Sequence, residues 1–259
     1  MSVAALRRGL LVVTALACAG LAVALWASPR APAQPMATGT RGAEGGDVAV
    51  GRQLFSQACS ACHGFAGRGI PGMGPDLTHA GAAAADFYLR TGRMPLSAPD
   101  QEPVRAEPVY NDREIRNLVA YVASLGPGPA IPAVDPARGD LARGREVFTS
   151  DCAGCHQVVG RGGIMPGGVA PALQQTTPTQ IAEAVRVGPF LMPPFSPREL
   201  PRADLDSVAR YVLWTRAPAN YGGWGIGNLG PIPEGMVAWL LAGVALLCVA
   251  RLLGERTQA

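Results

Sequence analysis

Gly51-Arg-Gln-Leu-Phe-Ser-Gln-Ala-Cys-Ser-Ala-Cys-His63 returns without a gap as Gly144-Arg-Glu-Val-Phe-Thr-Ser-Asp-Cys-Ala-Gly-Cys-His156. The offset is 93, and six of the thirteen positions are identical. The likeness continues downstream. Gly74-Pro75-Asp76-Leu77 answers Ala170-Pro171-Ala172-Leu173. Arg90-Thr-Gly92-Arg-Met94-Pro95 answers Arg186-Val-Gly188-Pro-Phe-Leu-Met192-Pro193, with two residues inserted. Ile115–Leu125 answers Leu205–Thr215, with Tyr121 opposite Tyr211. A repeat of this order and spacing is a duplicated domain. Each copy reads as helix, cysteine motif, loop, methionine loop, helix, and no alternating strand pattern stands out. The fold class expected is therefore all-α.

Cys-x-x-Cys-His is the covalent attachment signature of c-type haem. Two thiols three residues apart near a helix reach the two vinyl groups of one porphyrin, and the next residue can turn its imidazole to the iron. Cys59, Cys62 and His63 would hold one haem, and Cys152, Cys155 and His156 a second. Zinc needs four ligands per site, and each copy offers three. A disulfide or a thioredoxin-like pair does not need the adjacent histidine. The four cysteines between the apolar ends are thereby used, and no structural disulfide is expected.

The sixth ligand separates a carrier from a catalyst. Met94 and Met192 lie 31 and 36 residues after their histidines, enough chain to pass round the haem edge. Each precedes a proline, which favours extended backbone. Met73 and Met165 follow their histidines by only ten and nine residues, a short span for crossing to the other face. His79 reads as a loop or helix-start residue rather than a ligand. His/Met ligation raises the potential and leaves no open position, which favours electron transfer over oxygen chemistry. Pro75 and Pro171 are expected to accept the histidine ring N–H through their carbonyls. Gly51 and Phe55 with Tyr121, and Gly144 and Phe148 with Tyr211, predict a close crossing of the first and last helices of each copy.

Composition sets the frame. The chain has 259 residues, 48% hydrophobic and 16% charged, with mean hydropathy +0.17, too apolar for disorder. The net charge is only +3, every basic residue is arginine, and no basic cluster appears, so no nucleic-acid partner is expected. The hydropathy is concentrated at two ends, and the rest averages about −0.2, ordinary for a water-soluble body. Gly9–Ala27 is uncharged and follows Arg7 and Arg8. It reads as a signal peptide or an anchor, and its length favours a retained anchor. Gly235–Ala250 is uncharged, and Arg251 can snorkel while Leu252 and Leu253 complete a span. By the positive-inside rule both ends are cytoplasmic, which places the body on the extracytoplasmic side of the cell membrane.

The expected organisation is an apolar signal or anchor helix over 1–28, a linker over 29–45 and a first domain over 46–126. A Pro-rich linker follows over 127–138, then a second domain over 139–217. A Gly/Pro linker over 218–234, a transmembrane helix over 235–254 and a cytoplasmic tail over 255–259 complete the chain. The Pro-rich insertion Leu96–Val109 reads as an exposed variable loop or, alternatively, a partner contact.

Each copy resembles a class I cytochrome c domain. The whole, from about Gly46 onward, resembles the dihaem cytochrome c subunit of the menaquinol-oxidising cytochrome bc1 complex. Beyond the haem motifs the resemblance rests on the Met-Pro loops and on Gly222-Gly-Trp-Gly-Ile-Gly-Asn-Leu-Gly-Pro-Ile-Pro-Glu-Gly235 leading into the last helix. It implies two covalent haem c groups, with His63/Met94 and His156/Met192 as axial pairs. It also implies cytochrome b and Rieske iron–sulfur subunits as partners, and a terminal oxidase of the aa3 type as acceptor. The chain would serve as the electron-transfer subunit of a translocating quinol–cytochrome c reductase, with no substrate chemistry of its own. A membrane-tethered dihaem carrier and a cbb3-type oxidase subunit are alternatives. A dihaem peroxidase and a haem-free protein stand further off.

Overall fold

The computed structural model describes residues 45–218 and 231–256. The expected N-terminal apolar helix over 1–28 lies outside the described residues, as do nearly all of 29–45 and most of 218–234.

The first half contains α1 (Val48–Ala58), α2 (Ser60–His63), α3 (Gly81–Arg90) and α4 (Asp112–Ser124). Asp47 caps α1 by accepting from the Ala49 and Val50 N–H groups. Asn111 and Glu114 form a capping box on α4. The second half contains α5 (Leu141–Asp151), α6 (Ala153–His156), the strands β1 (Gly163–Met165) and β2 (Gly168–Ala170), α7 (Pro178–Val187) and α8 (Arg202–Trp214). The strands pair antiparallel, Gly163 opposite Ala170 and Met165 opposite Gly168. Thr177 and Gln180 form a capping box on α7, with Pro178 in its first turn. By contacts, α1–α8 form one unit, and α9 (Pro231–Arg256) belongs to another.

In each half the first and last helices cross at a glycine. A Cβ on Gly51 would lie 1.9 Å from the Asn117 carbonyl oxygen, and one on Gly144 would lie 2.0 Å from that of Ser207. Phe55 and Tyr121 fill the crossing angle with ring centroids 5.1 Å apart, Phe148 and Tyr211 at 5.3 Å. Behind these contacts sit separate cores. Phe55, Ile115, Leu118, Val119 and Val122 form one; Phe148, Ile181, Leu205, Val208 and Val212 form the other.

Three features differ from the sequence reading. Helices α3 and α7 stand between the cysteine motif and the methionine loop, where only loop was expected. Gly81-Ala-Ala-Ala-Ala is short and lacks a side-chain cap, which hid the signal. The hairpin β1–β2 is too short to show alternation. The 127–138 stretch is no free linker. Val134 is buried in the second core, Ile131 packs on the first, and Pro129 accepts from the Ala83 N–H.

Helix α9 contains a 20-residue apolar stretch, Gly235–Gly254, of mean hydropathy 2.3 and with none of it buried. At 1.5 Å per residue it is long enough to cross a bilayer.

Gly144→Ala would drive a methyl group into the Ser207 carbonyl. It is expected to cost about 3 kcal/mol, the upper end for overpacked cores. A lowered urea midpoint with an unchanged denaturant slope would show this, and an unchanged midpoint would refute the close approach.

Candidate functional site

Each cysteine motif begins where the crossing helix ends. The Cys59 N–H bonds the Phe55 carbonyl at 2.8 Å, and the Cys152 N–H bonds that of Phe148 at 2.9 Å. One further turn, α2 or α6, carries the second thiol and the histidine. The chain then reverses through positive φ at Gly64 (71°) and Gln157 (59°).

The returning loop brings a proline carbonyl to the imidazole. His63 Nδ1 lies 2.8 Å from the Pro75 oxygen, and His156 Nδ1 lies 3.0 Å from the Pro171 oxygen. A carbonyl only accepts, so Nδ1 carries a proton, and in the neutral imidazole the lone pair is then on Nε2. Burial pushes the His156 pKa down, against the Pro171 bond, and burial thereby favours the neutral imidazole. The same loops are held by tyrosines from the last helices. Tyr121 Oη donates to the Phe65 carbonyl at 3.3 Å and Tyr211 Oη to that of Val158 at 2.8 Å.

In the first half these groups line a cavity of about 390 Å³. Cys59, Cys62, His63, Pro75 and Met94 all reach it, together with Leu77, Ala84, Ala85, Leu89, Leu118 and Val122. Met73 lines it too. The peptide bond between Met94 and Pro95 is cis. In the second half Cys152, Met192, Leu173 and Phe195 pack against the core. Met165 instead sits on β1. His79 occupies the turn before α3, its Nδ1 3.3 Å from the Pro127 oxygen.

Sequence reading missed several cavity residues. Tyr88 projects from α3 one turn after Ala84, and Tyr110 precedes α4. Burial pushes both phenols up. The helical spacing Ala84–Tyr88 was the available signal. The insertion also takes part: Leu96, Ala98, Pro99 and Pro103 line the cavity, and Arg105 Nη2 donates to Gln180 Oε1 of the second half at 2.7 Å. It is a wall and a strap within the chain rather than only an exposed loop.

The donor set suits a haem. An apolar cavity bears two thiols and an imidazole with Nε2 available. Burial pushes the Cys59 thiol up to about 11 and the Cys152 thiol up to about 12, the opposite of the depression that a dithiol nucleophile uses. Arg93, next to Met94, has a buried Nη1 with no hydrogen-bond partner among the described residues. Such a donor suits a carboxylate like the propionates of haem.

Comparison with known proteins agrees. Residues 48–126 match the family model for cytochrome c, and residues 139–212 match that for cytochrome c oxidase, cbb3-type, subunit III. A cbb3-type cytochrome c oxidase subunit CcoP of Azospirillum is 29% identical over 188 residues, 64% of this chain and 61% of that protein. Stronger likeness is found elsewhere. The cytochrome bc1 complex cytochrome c subunit of Corynebacterium diphtheriae is 33% identical over 230 residues, 81% of each chain. That of Mycobacterium leprae is 36% identical over 219 residues, 80% of this chain and 75% of that protein. That of Mycobacterium tuberculosis is 36% identical over 217 residues, covering 80% and 78%. Cytochrome c domains imply covalently bound haem c, and the two cysteine pairs fit that chemistry. On this likeness across four-fifths of its length, the chain belongs to the family of cytochrome bc1 complex cytochrome c subunits.

Proposed function

We propose that the chain is the dihaem cytochrome c subunit of a quinol–cytochrome c reductase and carries electrons through two haem c groups in series. The observation that carries the reading is the duplicated arrangement of two thiols, a histidine on a proline carbonyl and a downstream methionine. In this reading Cys59 and Cys62 form the thioethers of the first haem, and Cys152 and Cys155 those of the second. His63 and His156 bind the irons through Nε2, held in rotation and tautomer by Pro75 and Pro171. Met94 and Met192 complete the coordination. A His/Met-ligated haem supplies one-electron transfer at raised potential with no vacant ligand position. What the chain adds is positioning, exclusion of water by the apolar walls, and basicity of the imidazoles.

The likeness to bc1 subunits supports the cytochrome b and Rieske iron–sulfur subunits as neighbours, the Rieske protein as donor to the first haem, and an aa3-type oxidase as acceptor from the second. Helix α9 anchors the protein, with the haem-bearing halves on the extracytoplasmic side and the C-terminus in the cytoplasm. Arg251 and Arg256 after the span, and Arg7 and Arg8 before the N-terminal segment, support that orientation. The match of residues 139–212 to a cbb3 oxidase subunit favours a second reading, in which the chain is itself a subunit of a cbb3-type oxidase.

Two experiments test this. In a redox titration of the purified complex, replacing Met94 or Met192 is expected to lower one haem's potential and leave the other nearly unchanged. The drop should be on the order of 0.1 V or more, within the roughly 0.8 V range that axial ligands set. An unaffected potential in either variant refutes that ligand. Purification in mild detergent is expected to recover cytochrome b and a Rieske protein with the chain. Recovery with a haem–copper oxidase and no quinol-oxidising partner would favour the second reading.

A further inference from the structure

Away from the cysteine motifs, two carboxyl groups meet where α3 packs against α7, at the seam between the halves. Asp86 on α3 is 1% exposed and Glu183 on α7 is 0% exposed. Asp86 has a counter-ion. Arg90 Nε lies 2.8 and 3.0 Å from its two oxygens, while Arg90 Nη1 reaches Asp112 at 2.6 Å. Asp112, with its side chain 77% exposed, is solvated. Glu183 has no such match. Neither of its oxygens meets a hydrogen-bond donor among the described residues, and the side chain it approaches is Asp86.

Two carboxyl groups form a hydrogen bond only when one of them holds a proton. An ionised Glu183 would leave a second buried negative charge beside one guanidinium already shared. The buried set is neutral only with Glu183 protonated, leaving one carboxylate opposite one guanidinium. Other charged groups nearby give Glu183 no hydrogen bond. Arg93 lies over the Phe87 ring, Arg105 bonds Gln180, and Arg186 bonds the carbonyls of Phe195, Ser196 and Leu200. On α8, Asp204 pairs with Arg143, Asp206 lies near Arg202 and accepts the Asp135 N–H, and Arg210 bonds the Gly139 carbonyl. Glu114 on α4 is turned to the Asn111 N–H. The charges that act on Glu183 are those of Asp86, against ionisation, and Arg90, for it.

We propose that Asp86 and Glu183 form a proton-binding site in the seam, holding one proton at neutral pH that bridges α3 to α7. Burial, and then the Asp86 charge, push the Glu183 carboxyl up to about 10. An unfolded chain loses that proton in the ordinary carboxylate range, so the folded chain holds it over the interval between. The stabilisation is complete below the ordinary range and is lost as pH rises through the folded value. Alkaline pH therefore loosens the contact between the halves. Under the two-haem reading the same change slows electron exchange between them; the proton site itself does not depend on that reading.

Infrared titration of the full-length, haem-loaded protein in detergent tests the site. The wild type is expected to show a protonated-carboxyl C=O stretch at neutral pH that is sensitive to deuterium and vanishes at alkaline pH. Glu183→Gln, whose amide can donate to Asp86 at every pH, should lack that band and lose the alkaline decline in stability. Asp86→Asn removes the opposing charge and should move the band's midpoint to lower pH by about one unit or more. A wild type without the band, a band retained in Glu183→Gln, or an unmoved midpoint in Asp86→Asn would each overturn the proposal. Haem content of the same samples, read from absorbance, reports separately on the two-haem reading.

Discussion

At Gly51 and Gly144 two helix backbones come closer than any side chain allows, and most of the site geometry descends from that approach. A Cβ there would meet the Asn117 or Ser207 carbonyl within about 2 Å. Because the helices touch, Phe55 and Phe148 can lie against Tyr121 and Tyr211 instead of facing water. The phenylalanine carbonyls then receive the first cysteine N–H groups, and the tyrosine hydroxyls tie down the loops that follow the histidines. One steric permission thus sets where the thiols start and where the imidazole points.

The imidazoles illustrate how a weak-looking contact decides chemistry. A single carbonyl acceptor on Nδ1 selects the tautomer of the neutral ring, puts its lone pair on Nε2 and restrains the ring's rotation. The two halves reach this arrangement by different loops. The first uses the short bridge between Ile70 and Gly74, and the second uses the hairpin β1–β2. The first half closes its cavity with the insertion after Met94. A duplicated scaffold has therefore diverged in its walls while keeping its donor set.

The halves are joined by more than a linker. Pro129, Ile131 and Val134 lay the connecting segment across both cores, Arg105 reaches Gln180, and α3 packs on α7 around two carboxyl groups. Arg90 on Asp86 and Arg105 on Gln180 favour one geometry there, because a shifted register would leave these groups without partners.

The repeat, the cysteine motifs, the paired prolines, the glycine–aromatic crossings and the C-terminal apolar span were all legible in the residues. Each is a local pattern or a match between two copies of one. Family membership followed from the same local signals. Helix α3 was less visible, because its alanine run starts without a side-chain cap, whereas α7 did carry a signal, the Thr177–Gln180 capping box with Pro178, that the sequence reading passed over. What only the tertiary structure decided is the set of contacts between distant segments: Tyr88 and the insertion as cavity wall, the docked 127–138 strap, and Glu183 against Asp86. In sequence Glu183 sits within Ile181-Ala-Glu-Ala-Val185 and could as easily face water. Burial is a property of the surroundings, and the surroundings of a side chain are set by chain that lies a hundred residues away.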